Sequence, residues 1–523
     1  MNAQTRELLA ECPVPLQRET AFAANETLVT CEPGDLVSAS AYAVSRGAEL
    51  ATMVGLDRQP LGGGLAVEFA FSIAAFDEFI RIRADLPPSG SYPALTPTVP
   101  AAQWYEREAK DLLGIDPVGH PDPRRLVLHE SFPQGYHPLL KSVDATRQPE
   151  IDARRFDHFE VHGEGVYELP VGPIHAGIIE PGHFRFSNIG DTVLFVDARL
   201  FYTHRGVEKI VEGLTPAEAL FTVERTCAAC TASHGVAFAS AVERAAGVDV
   251  PPRAVWLRTL LLELERLYNH VGDIGNICAG TGLHAGTSQG AILKERLQRL
   301  NEALTGHRFL MGVVAIGGLR QDFDDTVMAE QARELLAIRA QFTKYMEMLM
   351  GTGSFIHRLE GPGKLDAGIV RALGGTGVTA RGSGVATDYR IDHPHAAYGT
   401  LVPRPVIETS GDVFARTMVR AREAEESFRL VLTILEGLPG GPVQREVGTP
   451  RPFASALGYA ESPRGSNVHW VMFDDEGRIY RLRIRSAAYA NWPLVARAVP
   501  GSVVPDFPLI NKSFELCYAC CDR

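Results

Sequence analysis

Five of the eight cysteines in this 523-residue chain fall into two tight clusters. The first lies in Glu224-Arg225-Thr226-Cys227-Ala228-Ala229-Cys230-Thr231-Ala232-Ser233-His234, the second in Cys517-Tyr518-Ala519-Cys520-Cys521-Asp522-Arg523. Each holds a C-x-x-C pair, and two such pairs can together supply four thiolates. That donor set is soft and strongly electron-donating, which suits zinc, an iron-sulfur cluster, or a redox-active nickel that needs stabilising in more than one oxidation state. Ligand type alone does not choose among these. Zinc ribbons usually bring their pairs together within about 15–20 residues, whereas here almost the whole second part of the chain intervenes. Incidental buried thiols would not be expected to repeat the same spacing. Cys12, Cys31 and Cys278 read as structural thiols, and eight cysteines are too few for a disulfide scaffold in a chain of this length.

Joining residues 227–230 to residues 517–520 is a task for the whole fold. The length exceeds that of one ordinary hydrophobic core, so two domains are expected. Residues 1–150 mix alternating stretches such as Val67-Glu68-Phe69-Ala70-Phe71 with a helix around 104–113, and Pro, Ser and Gly fill 87–100 at loop density. This predicts an α+β N-terminal domain. A polar connection at 141–156 marks the boundary, and residues 151–523 form the second domain. Strands are expected between 159 and 202. From Thr215-Pro216-Ala217-Glu218, an N-cap followed by proline and an acidic first turn, the pattern becomes mainly α-helical. Leu257, Leu260, Leu261, Leu264 and Leu267 recur at helical spacing after Pro251-Pro252, and further helices are predicted at 289–311, 322–350 and 412–437. The glycine-rich stretch 374–384 reads as too irregular for a helix and lacks the order of a phosphate-binding loop.

The net charge of −12 argues against nucleic acid as a partner, because neutralising phosphates requires a basic face. No run of about 18 apolar residues occurs, and residues 1–9 lack a basic region followed by an apolar one. A cytoplasmic protein is expected, touching a membrane only through partners.

The first cysteine cluster with its trailing His234 resembles the N-terminal nickel motif of nickel-iron hydrogenase large subunits. The second, followed by Asp522-Arg523, resembles the C-terminal motif of the formate hydrogenlyase and energy-converting branch of that family. Further blocks are similar to that branch: Gly172-Pro173-Ile174-His175, Glu180-Pro181-Gly182-His183-Phe184-Arg185, His204-Arg205-Gly206-Val207-Glu208-Lys209, and Arg381-Gly382-Ser383-Gly384 before Asp388. Trp104-Tyr105-Glu106-Arg107-Glu108 through Asp111-Leu112-Leu113-Gly114, with Gly119-His120-Pro121-Asp122-Pro123-Arg124-Arg125, resembles the 30-kDa subunit of respiratory complex I. The resemblance therefore implies a 30-kDa-like α+β domain fused to a mainly α-helical, complex I 49-kDa-like hydrogenase domain.

It also implies a metal site. Cys227 and Cys517 would be terminal nickel ligands, and Cys230 and Cys520 would bridge nickel to an iron carrying carbon monoxide and cyanide. Cys517 would accept the first proton and Glu180 would relay it, although outside its block Glu180 would read as a surface carboxylate. Arg464, in Glu461-Ser462-Pro463-Arg464-Gly465, would overhang the metals, where the plainer reading is a solvated arginine. His234 would donate to a bridging thiolate, and Asp273 is a weaker candidate for the same canopy, since acidic residues on one helical face are usually solvated. The sequence departs from the family pattern at Ala228, where glycine is usual, at Glu515-Leu516, where Asp-Pro is usual, and at Cys521, commonly threonine. The implied partners are a small iron-sulfur hydrogenase subunit, a ferredoxin-like electron-transfer subunit, complex I-like membrane subunits and maturation proteins, with iron-sulfur clusters only in those partners. Attachment would be peripheral, on the cytoplasmic face. Family members often carry a C-terminal extension that is removed after nickel insertion, so Arg523 would be a processed end or one that never had an extension. A metal-free or zinc-stabilised scaffold, or a quinone-site subunit of a complex I-like assembly, is the competing reading.

Overall fold

The computed structural model describes residues 3–19, 23–144, 146–152, 158–175 and 179–523. Its N-terminal region is built on a sheet with strands in the spatial order Gln17–Arg18, Glu26–Thr30, Glu78–Asp85, Leu65–Ile73, Glu49–Asp57. Glu26–Thr30 and Glu78–Asp85 run parallel and the other neighbours antiparallel. Successive side chains of a strand face opposite ways. Val67, Phe69, Phe71 and Ile73 accordingly join the core beneath the Leu36–Ser45 and Gln103–Leu113 helices. Ala66 and Ala70, with Ala51, Val54, Leu56 and Phe79, pack instead on Leu457, Tyr459, Val468, Trp470 and Met472 from far along the chain. The expected alternation is present, and both faces are buried. Of the polar connection expected at 141–156, Ala145 and residues 153–156 lie outside the described residues, as do Met1 and Asn2 of the segment read at the start of the chain.

The strands expected between 159 and 202 form an antiparallel sheet of Val166–Val171, His183–Ile189 and Thr192–Arg199. Thr215 closes a capping box with Glu218 at the start of the Pro216–Glu224 helix. The leucine-rich helix spans Pro252–Gly280 and packs against His284–Thr305 and Val413–Gly437, with Asp325–Met350 against the latter two. Gly275 and Gly290 let the first pair touch, since a Cβ on Gly290 would meet the Gly275 Cα at 2.6 Å.

Three expectations need correcting. The helix predicted to reach residue 311 ends at Thr305, because Gly306 adopts a left-handed conformation, φ 80°, that terminates it. The 374–384 stretch does contain a short helix, Gly377–Arg381. The second region is also less purely helical than its periodicity suggests. Ser455–Ser462, Gly465–Phe473 and Ile479–Arg485 form an antiparallel sheet clasped between the Thr231–Ala246 helix and the N-terminal sheet. Every residue of the first two strands is buried, so they carry no alternation for a sequence reading to find. Among the described residues, no helix is long and apolar enough to cross a membrane.

Candidate metal centre

The Sγ atoms of Cys227, Cys230, Cys517 and Cys520 all lie within 4.8 Å of one another. On the first pair, Cys227 caps a 3-10 turn, Ala228–Cys230, and its sulfur accepts from Ala229 N–H at 3.3 Å. The Thr231–Ala246 helix begins immediately after. The Pro252–Gly280 helix holds the turn through Tyr268 Oη donating to Ala228 O at 2.9 Å and Asn269 Nδ2 donating to Ala229 O at 2.8 Å. Glu265 from the same helix accepts from Ala232 N–H at 2.6 Å and Ser233 N–H at 3.2 Å, and burial pushes its carboxyl up to about 8. Ala228 does not take a left-handed φ, so the turn makes no use of a glycine's freedom there and tolerates the methyl group.

The second pair stands on the short Tyr518–Asp522 helix, anchored from three directions. Asp522 accepts from Phe201 N–H at 2.9 Å and from Thr203 N–H at 3.0 Å and Oγ1 at 2.8 Å. Ser486 Oγ donates to Cys520 O at 2.9 Å. Arg523 is wholly buried, pairing with Glu108 at 2.6 Å and stacking over Tyr489. Arg205 ties the two cysteine turns together, donating from Nη2 to Thr226 O at 2.7 Å and to Ala519 O at 3.1 Å.

Around the sulfurs the polar groups are sparse and specific. His234 Nε2 lies 3.3 Å from Cys520 Sγ, and burial lowers its imidazole to about 4, so it is neutral. Half-buried Glu180 accepts from Ala519 N–H at 2.8 Å; burial raises its carboxyl, and the nearby Cys517 adds to the effect. Arg464 is buried and forked on Asp273, with Nη2 to Oδ1 at 3.0 Å, and also donates to Asn269 Oδ1 at 3.3 Å. Arg420 reaches the same Asp273 at 3.1 Å. Burial opposes the charge of Arg464, but Asp273, Cys517, Glu515 and Cys230 together more than restore it. Its Nε has no hydrogen-bond partner among the described residues. Within the sulfur set, hydrogen bonds from Cys227, Cys230 and Cys520 hold Cys517 well below the usual thiol range, while Cys230 and Cys520 are pushed up. Convergent soft donors, a neutral imidazole and an unpartnered guanidinium N–H fit a thiolate-held metal group.

The candidates read from the sequence therefore converge. Asp273, expected to be solvated, is buried between two arginines, and Glu263 and Glu265 on the same helix are buried as well, because each finds a cation or backbone N–H to compensate it. Cys521 is wholly buried and outside the sulfur set, so it is no rival ligand. Glu515 takes a left-handed φ of 51° and bonds Asn276; burial, then Asp273, raises its carboxyl to about 7. Sequence reasoning missed the roles of Arg205 and Arg420 and the contact of His469 with His234 at 2.9 Å. Arg205 lies in a quoted block without any sign of its two carbonyl partners. Arg420 and His469 carry no local signal, since their partners come from distant elements.

Comparison with known proteins gives the geometry its family. Residues 282–452 and 446–523 match the respiratory-chain NADH dehydrogenase 49 Kd subunit, residues 29–149 the 30 Kd subunit, and residues 205–273 the nickel-dependent hydrogenases. The chain is 38% identical to formate hydrogenlyase subunit 5 of Escherichia coli (strain K12), over 91% of this chain and 85% of that protein. It is 37% identical to hydrogenase-4 component G of the same organism, over 91% and 84%. The carbon monoxide-induced hydrogenase of Rhodospirillum rubrum is 31% identical over 68% of this chain and 99% of its own. Among solved structures, a chain of the membrane-bound sulfane sulfur reductase, an archaeal respiratory membrane complex, superposes with a TM-score of 0.65 at 27% identity, covering 69% of this chain and 99% of that one. The fused 30 Kd-like and 49 Kd-like regions, the nickel-dependent hydrogenase match and relatives spanning nearly the whole length place this chain in the family of complex I-related nickel-iron hydrogenase large subunits, oxidoreductases that interconvert dihydrogen with protons and electrons.

Proposed function

We propose that Cys227, Cys230, Cys517 and Cys520 hold a nickel-iron centre whose iron carries carbon monoxide and cyanide, and that the chain works within a formate hydrogenlyase-like assembly. The observation that carries this is the approach of all four sulfurs to within 4.8 Å from cysteine pairs at residues 227–230 and 517–520. When bound, such a centre supplies the making and heterolytic splitting of dihydrogen. By the family motifs, Cys227 and Cys517 would hold the nickel as terminal ligands, and Cys230 and Cys520 would be the thiolates shared with iron. Cys517, the one sulfur of the four that is only partly buried, takes the proton at Sγ and returns it. Glu180 passes that proton outward; burial raises its carboxyl, which brings its protonated form closer to reach. Arg464, fixed by Asp273, keeps a positive, dry edge on the site, and its Nε–H has no partner among the described residues. His234 donates from Nε2 to Cys520.

Electrons enter from a small iron-sulfur subunit and a ferredoxin-like subunit, and complex I-like membrane subunits hold the chain peripherally at the cytoplasmic face; maturation proteins assemble the metals. The names of the formate hydrogenlyase and hydrogenase-4 relatives and of the membrane-complex neighbour support this setting. We place the division between the two domains at residues 150 and 151, supported by the 30 Kd match that ends at 149. Metal analysis and infrared spectroscopy of the purified assembly test the proposal. Nickel and iron in equal amounts, with bands of bound carbon monoxide and cyanide, are expected. Zinc alone, or no metal, would leave only a scaffold.

A further inference from the structure

His234 and His469 form a buried pair that joins the Thr231–Ala246 helix to the Gly465–Phe473 strand. His234 faces Cys520 Sγ through Nε2 at 3.3 Å and His469 Nε2 through Nδ1 at 2.9 Å. Both rings are fully buried, and His469 Nδ1 has no hydrogen-bond partner among the described residues. Two residues earlier on the same strand face, Asn467 Nδ2 donates to Ser233 Oγ at 3.1 Å, which fixes the strand against the helix beside the pair.

A neutral imidazole carries one N–H and one lone pair, so choosing the direction of one hydrogen bond sets every atom of the pair. A cysteine that ligates metal is a thiolate and can only accept. His234 Nε2 is then the donor to sulfur, His234 Nδ1 the acceptor, and His469 Nε2 the donor to it. His469 Nδ1 is left with a bare lone pair. The opposite direction would aim a His234 lone pair at the sulfur and strand His469 Nδ1–H in the interior. Buried N–H groups without acceptors are rarer than buried acceptors without donors, so the unpartnered Nδ1 agrees with the first arrangement.

We propose that His469 is a positioning residue whose Nε2–H locks the tautomer and ring plane of His234 and thereby strengthens the N–H···S bond to Cys520. This rests on the reading of Cys520 as a ligand shared with iron. Successive donors polarise one another, so the chain from His469 through His234 withdraws charge from the sulfur and hence from the metal it binds.

The test is infrared spectroscopy of the loaded assembly carrying His469→Gln, His469→Asn or His469→Leu. Glutamine can set an amide N–H near the place of Nε2. Asparagine places it near Nδ1, out of reach of His234, and leucine has none. The carbon monoxide and cyanide bands are expected to move to lower wavenumber in His469→Asn and His469→Leu and to stay near the wild-type positions in His469→Gln. Should His469→Leu fail to load metal, the contrast between the asparagine and glutamine variants carries the same comparison. Unmoved bands in all variants, equal shifts in His469→Gln and His469→Asn, or failure of all three to load would overturn the role of His469 while leaving the wild-type bands, and the proposed centre, in place. Absence of those bands from the wild type would instead overturn the proposed centre, and this inference with it.

Discussion

Arg464 must stay charged in a place that water does not reach, and its environment shows how. Desolvation alone would drive a guanidinium toward losing its charge, yet the two-pronged contact with Asp273 offsets that, and Arg420 and Asn269 hold the carboxylate and the guanidinium in register. Lysine would keep the charge and lose both the fork and the Nε donor. In Arg464→Lys, dye-linked hydrogen evolution should fall on the order of a hundredfold while nickel and iron content, read by elemental analysis, stays unchanged. Loss of metal along with activity would show that Arg464 holds the site together and does no more. At this scale, motif alone singles out the cysteine pairs, His234, Glu180 and Arg464, which the fold gathers around one set of sulfurs, whereas Asp273 reads as solvated because its burial depends on arginines that the local sequence does not bring near it.

Between residue and molecule stands the hairpin that carries Arg464. Ser462 and Gly465 are paired across the turn, so Pro463 and Arg464 form its tip. Gly465 has φ 128°, and a Cβ there would lie 2.7 Å from Thr376 Cγ2 and 2.8 Å from Gly377 N. Gly465→Ala should therefore lower thermal stability by about 2 kcal/mol, seen as a lower melting temperature, and should also reduce hydrogen evolution by tilting the tip. An unchanged melting temperature would mean that the turn has slack that these contacts do not suggest. The reasons for success and failure in reading elements are physical. Thr215 with Glu218 and the prolines at 251 and 252 mark helix starts by local chemistry, and the Leu65–Ile73 strand has two distinguishable faces. The Ser455–Ser462 and Gly465–Phe473 strands are buried on both faces, so their polar and apolar residues do not sort by side, whereas Ile479–Arg485 does alternate apolar residues with arginines, a signal that the mainly helical reading overlooks; the end of the helix at Thr305 turns on one glycine within a stretch that stays periodic.

Across the molecule, the N-terminal region grips the chemistry directly. Glu108, on the Gln103–Leu113 helix, pairs with Arg523 and Arg483, whose charges hold its carboxyl well below the ordinary range against the pull of burial. Glu108→Gln would leave Arg483 and Arg523 to share Glu208, 3.3 Å from each, and should cost about 2 kcal/mol. Its signature is faster release of nickel to a chelator, because Arg523 directly follows the Tyr518–Asp522 helix. Equal release rates in wild type and variant would separate the tail from this anchor.

The interior also predicts a pH response. Burial lowers His270 and His395 from 6.5 to about 4. The unfolded chain binds those protons below pH 6.5 and the folded chain does not until about pH 4, so their share of stability is intact above 6.5 and drains away on acidification. Each accounts for about 3 kcal/mol over that window. The buried Glu265 and Glu515 carboxyls, raised to about 8 and about 7, titrate the other way, so the histidine share is read as a difference: in urea titrations at pH 7, 6 and 5 the wild type should lose stability relative to His395→Gln as the pH falls. A difference that stays constant with pH would mean that the His395 ring finds a counter-charge on protonation.

The contact between the N-terminal sheet and the late hairpin sets a timetable for synthesis. Glu26 accepts from the backbone of Leu457, 431 positions further on, and the apolar face formed by Ala51, Val54, Leu56, Ala66 and Ala70 has its mate on the same late strands. At ribosomal speeds that interval is on the order of a minute. During it the nascent chain displays a finished sheet with one greasy side uncovered. Soluble yield should accordingly rise when a holdase chaperone is co-expressed, and an unchanged yield would mean that the uncovered side does no harm during translation.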